Sequence, residues 1–134
     1  MAKWALVLLL FGPSAWADWH FIGKTAEFGM YADPSSIQRQ GTLAKLWVMG
    51  DYKETQAARF PPPLLWTNYL SVKELKELDC ANGLHRTLRT SIFAGHLAKG
   101  EPLFTVDTGA AFAPVAKAPL DIAQFKFGCE GGKR

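Results

Sequence analysis

The sequence predicts an α+β domain: a single antiparallel sheet of about six strands, with one C-terminal helix packed on one face of the sheet and tied to it by a disulfide. Short runs of aromatic and aliphatic residues are separated by turn residues with no helical segments between them, which excludes a βαβ architecture. Pro119 to Gly128 has the pattern of a closing helix, with proline at its start and glycine at its end. Leu120, Ala123 and Phe127 share one stripe of that helix.

The N-terminal half predicts a hairpin, one helical turn and a central strand. The first two strands are expected at Trp19 to Lys24 and at Phe28 to Asp33. Pro34 directly after an aspartate predicts a single turn of helix. Leu43 to Tyr52 is the clearest strand, with Trp47 and Met49 on one face and Leu46 and Val48 on the other. Because both faces are apolar, we expect this strand at the centre of the sheet, covered on both sides.

The segment from Ala57 to Asn68 is predicted to be an extended surface loop. It contains Pro61-Pro62-Pro63, and a central strand is excluded there because proline has no backbone N–H to donate. Leu64, Leu65 and Trp66 follow the prolines. Trp66 either folds back as a lid on the sheet or presents an apolar contact to a partner. Trp19 and Trp47 lie in strand patterns and are expected in the core.

The second half predicts further strands. Ser71 to Asp79 has helical features, since Ser71 and Glu74 form a capping-box pattern, but Asn82-Gly83 soon afterwards is a strong hairpin signal, and we predict a strand. Its partner strand is expected from Leu84 to about Phe93, and another short strand at Leu103 to Val106.

A two-residue turn at Asn82-Gly83 fixes the register of this second hairpin. It places Cys80 opposite His85 and Asp79 opposite Arg86. Opposite charges facing each other on a hairpin are typical of a cross-strand contact. Arg86, Arg89 and Lys99 could instead line a surface for an acidic ligand, although a solvated face explains them more simply.

Met1 to Ala17 has the pattern of a secretory signal peptide. Lys3 supplies the positive charge, Trp4 to Phe11 the apolar run, and Ala15-Trp16-Ala17 the cleavage step. Cleavage would leave residues 18–134 as one mature domain. The apolar run is shorter than the roughly 20 residues of a spanning helix, and no cysteine follows the cleavage point. We therefore expect an exported protein that is periplasmic, secreted or associated with the cell surface, without a membrane anchor in the mature chain.

Charge and cysteine content narrow the range of partners. The net charge is +3 and falls to +2 once Lys3 leaves with the signal, which is too close to balance to predict a nucleic-acid partner. Export places Cys80 and Cys129 in an oxidising compartment, where a pair closes into a disulfide. A metal site would need more ligands than these two, and a catalytic thiol would need a base beside it.

No segment after Ala17 forms a catalytic motif. His20, His85 and His96 do not have metal-binding spacing, the serines lack a nucleophile elbow, and no glycine-rich phosphate loop occurs. We expect no cofactor, no metal and no enzymatic activity. The leading hypothesis is an exported binding module that contacts a protein partner or a second copy of itself, since one short helix covers only one face of an apolar sheet. A small-ligand carrier and an enzyme with an unrecognised site are the alternatives.

Three segments in order, Tyr31-x-Asp33-Pro34-x-Ser36-Ile37, Trp47-Val48-x-x-Asp51-Tyr52 and Asp79-Cys80, are jointly specific. They occur together with Trp19-x-x-Ile22-Gly23, Gly41, Gln56, Tyr69-x-Ser71, Arg86 and Cys129. This order resembles the bacterial surface-adhesin protein E-like family over nearly the whole mature chain. The resemblance implies an antiparallel sheet with a C-terminal helix tied by a cysteine bridge. It also implies a protein partner from the host extracellular matrix or serum, although this chain lacks the lipidated cysteine of the family's namesake.

Overall fold

The computed structural model describes residues 17–132, so the predicted signal peptide lies outside the described residues except for Ala17. In chain order the elements are β1 (His20–Lys24), β2 (Phe28–Ala32), a 3-10 turn (Pro34–Ser36), β3 (Gln38–Gln40), β4 (Leu43–Phe60), β5 (Leu65–Asp79), β6 (Leu84–Phe93), a second 3-10 turn (His96–Ala98), β7 (Phe104–Asp107), β8 (Ala113–Pro114) and helix α1 (Pro119–Cys129). Within this range no helix has the length and hydropathy needed to cross a membrane.

All eight strands belong to one antiparallel sheet. The order across the sheet is β1-β2-β4-β5-β6-β7, with β3 also beside β4 and β8 also beside β6. The predicted fold class is confirmed, with more strands than the six expected. The central position of β4 is confirmed as well, because β2 and β3 pair along one of its edges and β5 along the other.

The first hairpin and the helical turn are confirmed. β1 pairs with β2, and the 3-10 turn at Pro34–Ser36 follows directly. Asp33 begins this turn, because its Oδ1 accepts a hydrogen bond from the Ser35 backbone N–H at 2.9 Å. The turn is also tied to the central strand, since Ser36 Oγ accepts a hydrogen bond from the Trp47 backbone N–H at 2.9 Å.

The prediction of a loop from Ala57 to Asn68 is wrong. Strand pairing continues on both sides of the prolines, from Gln56 with Tyr69 to Phe60 with Leu65. The three prolines lie in the tight turn between β4 and β5, where the Leu64 N–H donates to the Pro61 carbonyl at 3.2 Å. In the turn no ladder hydrogen bond is required of them, and the residues on either side keep their N–H groups for pairing.

The strand predicted at Ser71 to Asp79 is confirmed as part of β5, but the register of its hairpin is wrong. Asp79 pairs with Leu84, and Arg86 faces Glu77 instead of Asp79. The same shift places His85 opposite Leu78, not Cys80. The turn is longer than two residues because the Asp79 carboxylate accepts hydrogen bonds from the backbone N–H and side-chain amide of Asn82, at 3.2 and 2.9 Å. From Asp79 to Lys76 the shift is two residues, so the side chains there keep their predicted face, whereas a further register shift between Leu75 and Lys76 changes the pairing by one residue in the rest of the hairpin.

The core lies between the sheet and α1. Its buried residues are Ala32, Ala44, Leu46, Val48, Leu78 and Phe127. The predicted helix is confirmed, although Gln124 and Gly128, rather than Leu120 and Ala123, accompany Phe127 as its buried residues. A Cβ atom at Gly128 would lie 2.4 Å from Cδ1 of Leu78, so glycine is required for the helix to approach the sheet this closely. The predicted disulfide between Cys80 and Cys129 is present and fastens the helix, with a Cα–Cα distance of 5.8 Å.

Candidate functional site

The β4–β5 hairpin extends beyond the rest of the sheet. Strand β2 pairs with β4 only as far as Tyr52, and β6 pairs with β5 only as far as Ser71. The far part of the hairpin, residues 56–69, is therefore a two-stranded ribbon, which we call the distal hairpin. A ribbon of two strands has unpaired backbone groups along both edges, which are available for contact with another molecule.

The tip of the distal hairpin carries exposed apolar side chains. Trp66 is 67% exposed and Leu65 is 47% exposed, whereas Leu64 is half-buried. Trp66 pairs with Arg59 across the hairpin and does not fold onto the sheet as a lid. Leu65 has a φ of +51°, in the left-handed region that costs a residue with a Cβ atom about 1 kcal/mol. The geometry of the turn, rather than the intrinsic preference of leucine, therefore sets the backbone conformation at the tip.

A row of five aromatic rings supports the distal hairpin. The ring centroids lie 5.2 Å apart for Phe28 and Tyr52, 6.1 Å for Tyr52 and Tyr69, 6.2 Å for Tyr69 and Phe60, and 5.5 Å for Phe60 and Phe104. Burial, followed by the charges of neighbouring ionisable side chains, raises the pKa of Tyr52. Sequence reasoning missed this row because its members become neighbours only when the hairpin register is known. The row links the distal hairpin to β2 at one end and to β7 at the other. These ring contacts therefore hold the distal hairpin against neighbouring strands of the sheet.

The two arginines named as candidate contact residues lie far from Trp66. Arg86 pairs across the sheet with Glu77, which is about 35 Å from Trp66 at about 3.3 Å per residue along β5. Arg86 donates from Nε and Nη2 to the same Glu77 oxygen, at 2.8 and 2.6 Å, and its guanidinium lies 4.3 Å from the Phe112 ring centroid. The positive charge of Arg86 is therefore already paired with groups of the same chain.

Arg89 is also paired within the chain. Its Nε donates to Oδ1 of Asp107, a contact that raises the pKa of Arg89 and lowers that of Asp107. Leu64, Leu65 and Trp66 are consecutive at the hairpin tip, and the structure separates them from Arg86 and Arg89. Arg59, which sequence reasoning did not single out, is the basic residue beside Trp66.

The histidines do not form a metal site. Over residues 17–132 no three histidine, cysteine or acidic side chains are clustered closely enough to hold a metal ion. His96 Nδ1 lies 3.1 Å from Oδ1 of Asp51, and this same oxygen accepts from the Leu97 N–H at 2.7 Å. His20 lies 3.1 Å from a carboxylate oxygen of Asp18. His85 lies on the helix side of the sheet, where burial and then the charge of Lys76 lower its pKa.

Asp51, His96 and Ser71 come close together but do not form a nucleophilic triad. Ser71 is fully buried, and its Oγ donates to the Gly95 carbonyl at 2.7 Å while accepting from the Ala98 N–H at 2.9 Å. Its hydroxyl proton is therefore committed to the backbone. The three side chains anchor the loop after β6 to the sheet, and this arrangement presents no nucleophile to a substrate.

The geometry defines a class of domain: an antiparallel sheet with a disulfide-tied C-terminal helix and a long projecting hairpin. The surface-adhesin protein E family matches residues 19–130, and the chain belongs to that family. No curated protein sequence matches the chain.

Solved structures of protein E from Haemophilus influenzae have the same fold. One is 18% identical and covers 87% of each chain with a TM-score of 0.57. A second crystal form is 15% identical and covers 89% of this chain and 100% of that chain with a TM-score of 0.54. The structure from the non-typeable organism is 16% identical, covers 79% of this chain and 72% of that chain, and has a TM-score of 0.54.

Proposed function

We propose that this protein is an exported, non-enzymatic binding module and that the tip of the distal hairpin contacts a protein partner. The observation that carries the proposal is the exposure of Trp66, at 67%, beside exposed Leu65 at the end of a two-stranded ribbon. Tryptophan is among the residues that contribute most to binding energy when a partner buries them. At about 25 cal/mol per Å² of apolar area, a side chain of this size contributes roughly 2 kcal/mol or more on burial.

Membership of the surface-adhesin protein E family supports a surface-adhesin-like role. The proposed partner class is therefore a host extracellular-matrix or serum protein, and the proposed location is the cell surface or the space outside the inner membrane. The arrangement of Ser71, with its hydroxyl engaged by the backbone, supports the non-enzymatic part of the proposal. Self-association through the same tip is the competing proposal, because two exposed tips could bury each other in a homodimer.

The test compares Trp66→Ala with Ile122→Ala in the protein purified after export. Ile122 is a matched control, because it is 42% exposed but lies on α1. Binding to a panel of purified extracellular-matrix and serum proteins is measured by surface plasmon resonance, and the mass in solution by light scattering. We expect Trp66→Ala to weaken partner binding at least tenfold, which corresponds to about 1.4 kcal/mol, and Ile122→Ala to leave it unchanged.

Thermal melting separates the remaining outcomes. A contact residue at an exposed position changes stability by no more than about 0.5 kcal/mol when truncated. Strong destabilisation by Trp66→Ala would mean that the side chain packs inside the chain in solution, and the tip would then not be the contact site. Binding that is indifferent to Trp66 would also contradict the proposal. A dimer that dissociates on Trp66→Ala would instead support self-association.

A further inference from the structure

A cavity of about 480 Å³ opens on the sheet face opposite α1, well away from the distal hairpin tip. Strands β5 and β6 contribute Lys73, Ser91 and Phe93, and the remaining lining comes from the segment before β1 and the loop after β6. Trp19, Leu97 and Pro102 are the large apolar residues among that remaining lining. The volume lies within the range of about 300 to 1,000 Å³ that is typical of small-molecule sites.

Lys73 gives this cavity its chemistry. The side chain is half-buried, and its Nζ lies 4.6 Å from the ring centroid of Trp47 and 5.9 Å from that of Phe93. Both rings attract the ammonium group electrostatically but accept no strong hydrogen bond. In the described part of the chain the ion pairs involve other residues, so the three N–H donors of Lys73 have no carboxylate partner. Burial lowers the pKa of Lys73, and the negative charge of Asp33 opposes that effect.

The charges around the cavity favour an anion. Among the described residues, its lining includes two lysines, Lys73 and Lys99, and no acidic residue, since Asp33, whose charge acts on Lys73, is not part of the lining. Lys99 is exposed at the rim, so the half-buried ammonium of Lys73 is the charge that a bound ligand would meet inside. Ser91 is already engaged, because its Oγ lies 2.8 Å from Oγ1 of Thr105. One unpartnered ammonium among aromatic and aliphatic walls matches a ligand with one negative charge and an apolar body.

We propose that this cavity binds a small monocarboxylate with an aryl or alkyl body. The carboxylate pairs with the Lys73 ammonium, and the body packs against Trp19, Phe93 and Leu97. Ala17 also lines the cavity, and of the described lining residues it is the one that signal cleavage after it would remove. The inference is independent of the proposed protein-binding function, because none of the lining residues belongs to the distal hairpin.

The test uses 4-phenylbutyrate and 4-phenyl-1-butanol, which share a body and differ in charge, with the protein purified after export. Titration calorimetry measures both affinities, and the fluorescence of Trp19 and Trp47 reports entry into the cavity. We expect the acid to bind with one ligand per chain and the alcohol at least tenfold more weakly. Equal binding of the two compounds, or no binding of the acid at about 10 mM, which exceeds even a millimolar dissociation constant, would overturn the proposal.

Substitutions test whether Lys73 supplies the positive charge that pairs with the carboxylate of the ligand. Lys73→Met keeps the apolar stem and removes the ammonium, so the preference for the acid should fall to near one, whereas Lys73→Arg should retain it. Lys126→Met is the matched control, because Lys126 is exposed on α1 and should leave the preference unchanged. Trp66→Ala should also leave it unchanged, which separates this site from the hairpin contact. A preference that survives Lys73→Met would show that the acid binds elsewhere.

Discussion

Replacing Glu77 by glutamine tests the register of the second hairpin, because it removes the charge that Arg86 contacts. The Glu77 side chain is 7% exposed and the Arg86 side chain 33%, and two hydrogen bonds join the guanidinium to one carboxylate oxygen. Removing one partner of a fully buried ion pair costs about 3 to 5 kcal/mol. Arg86 keeps access to water on its exposed third, so we expect a loss of about 2 kcal/mol.

The matched control is Asp79→Asn, at the acidic residue that a two-residue Asn-Gly turn would have placed opposite Arg86. In the structure Asp79 instead accepts exposed hydrogen bonds from Asn82. Asparagine retains a carbonyl acceptor there, so the loss should stay below about 1 kcal/mol. At about 4 °C per kcal/mol for a domain of this size, the melting temperature should fall by roughly 8 °C for Glu77→Gln and by less than about 4 °C for Asp79→Asn.

Urea unfolding of both variants, and of a double-mutant cycle with Arg86→Met, provides the measurement. The cycle should give a coupling free energy of at least about 1 kcal/mol between Glu77 and Arg86, since the two side chains are in direct contact. The reasoning would be refuted if Asp79→Asn cost as much as Glu77→Gln. If the losses of unfolding free energy in the two single variants simply add up in the double variant, the ion pair contributes no coupling free energy in solution.

Two further predictions concern the helix and the pH dependence. Cys129→Ser opens a disulfide that joins residues 49 apart and should lower the free energy of unfolding by about 4 kcal/mol; unchanged melting on reduction would contradict this. Because the folded-state pKa of His85 lies below its usual value, the unfolded chain binds a proton first, and stability should fall as the pH drops below about 6.5. Urea unfolding across this pH range should show a flatter profile for His85→Gln than for the control His20→Gln, and identical profiles would exclude His85 as the cause.

The positions of the strands could be predicted from the sequence because they depend on local residue patterns. The apolar residues on both faces of Leu43 to Tyr52 and the turn signal at Asn82-Gly83 located the central strand and the second hairpin. Strands β3 and β8 carry no such pattern, since the three residues of β3 are all polar and β8 consists of two residues. Their pairing is determined by the edges of β4 and β6, which are assembled only in the folded chain.

Register and turn length could not be obtained in the same way. The side chain of Asp79 closes the second hairpin by hydrogen bonds to Asn82, and that contact competes with the two-residue turn that Asn-Gly favours. At the prolines, the rule that excludes a central strand applies to fewer residues than the predicted loop contains. It holds for Pro61, Pro62 and Pro63, which lie in a turn, but it does not apply to the residues that flank them.

The candidate contact residues could be predicted only in part. Trp66 stood out because it follows prolines and leucines in a segment whose pattern does not predict a buried strand. In the structure its side chain is exposed to solvent. Lys73 gave no signal, because its neighbours Trp47 and Phe93 lie on different strands and meet it only through the register of β4, β5 and β6. A cavity of this kind is a property of the assembled sheet rather than of any one segment.

The division of the sheet into two faces explains why both proposed sites can be tested by substitution. The core residues Leu46, Leu78 and Phe127 lie on the helix side and are held there by packing and the disulfide. Lys73 lies on the opposite face and Trp66 at the end of the ribbon, and neither belongs to that core. Mutations at sites that share no partners add independently. Changes in binding at Lys73 or Trp66 can therefore be measured in a chain whose core remains intact.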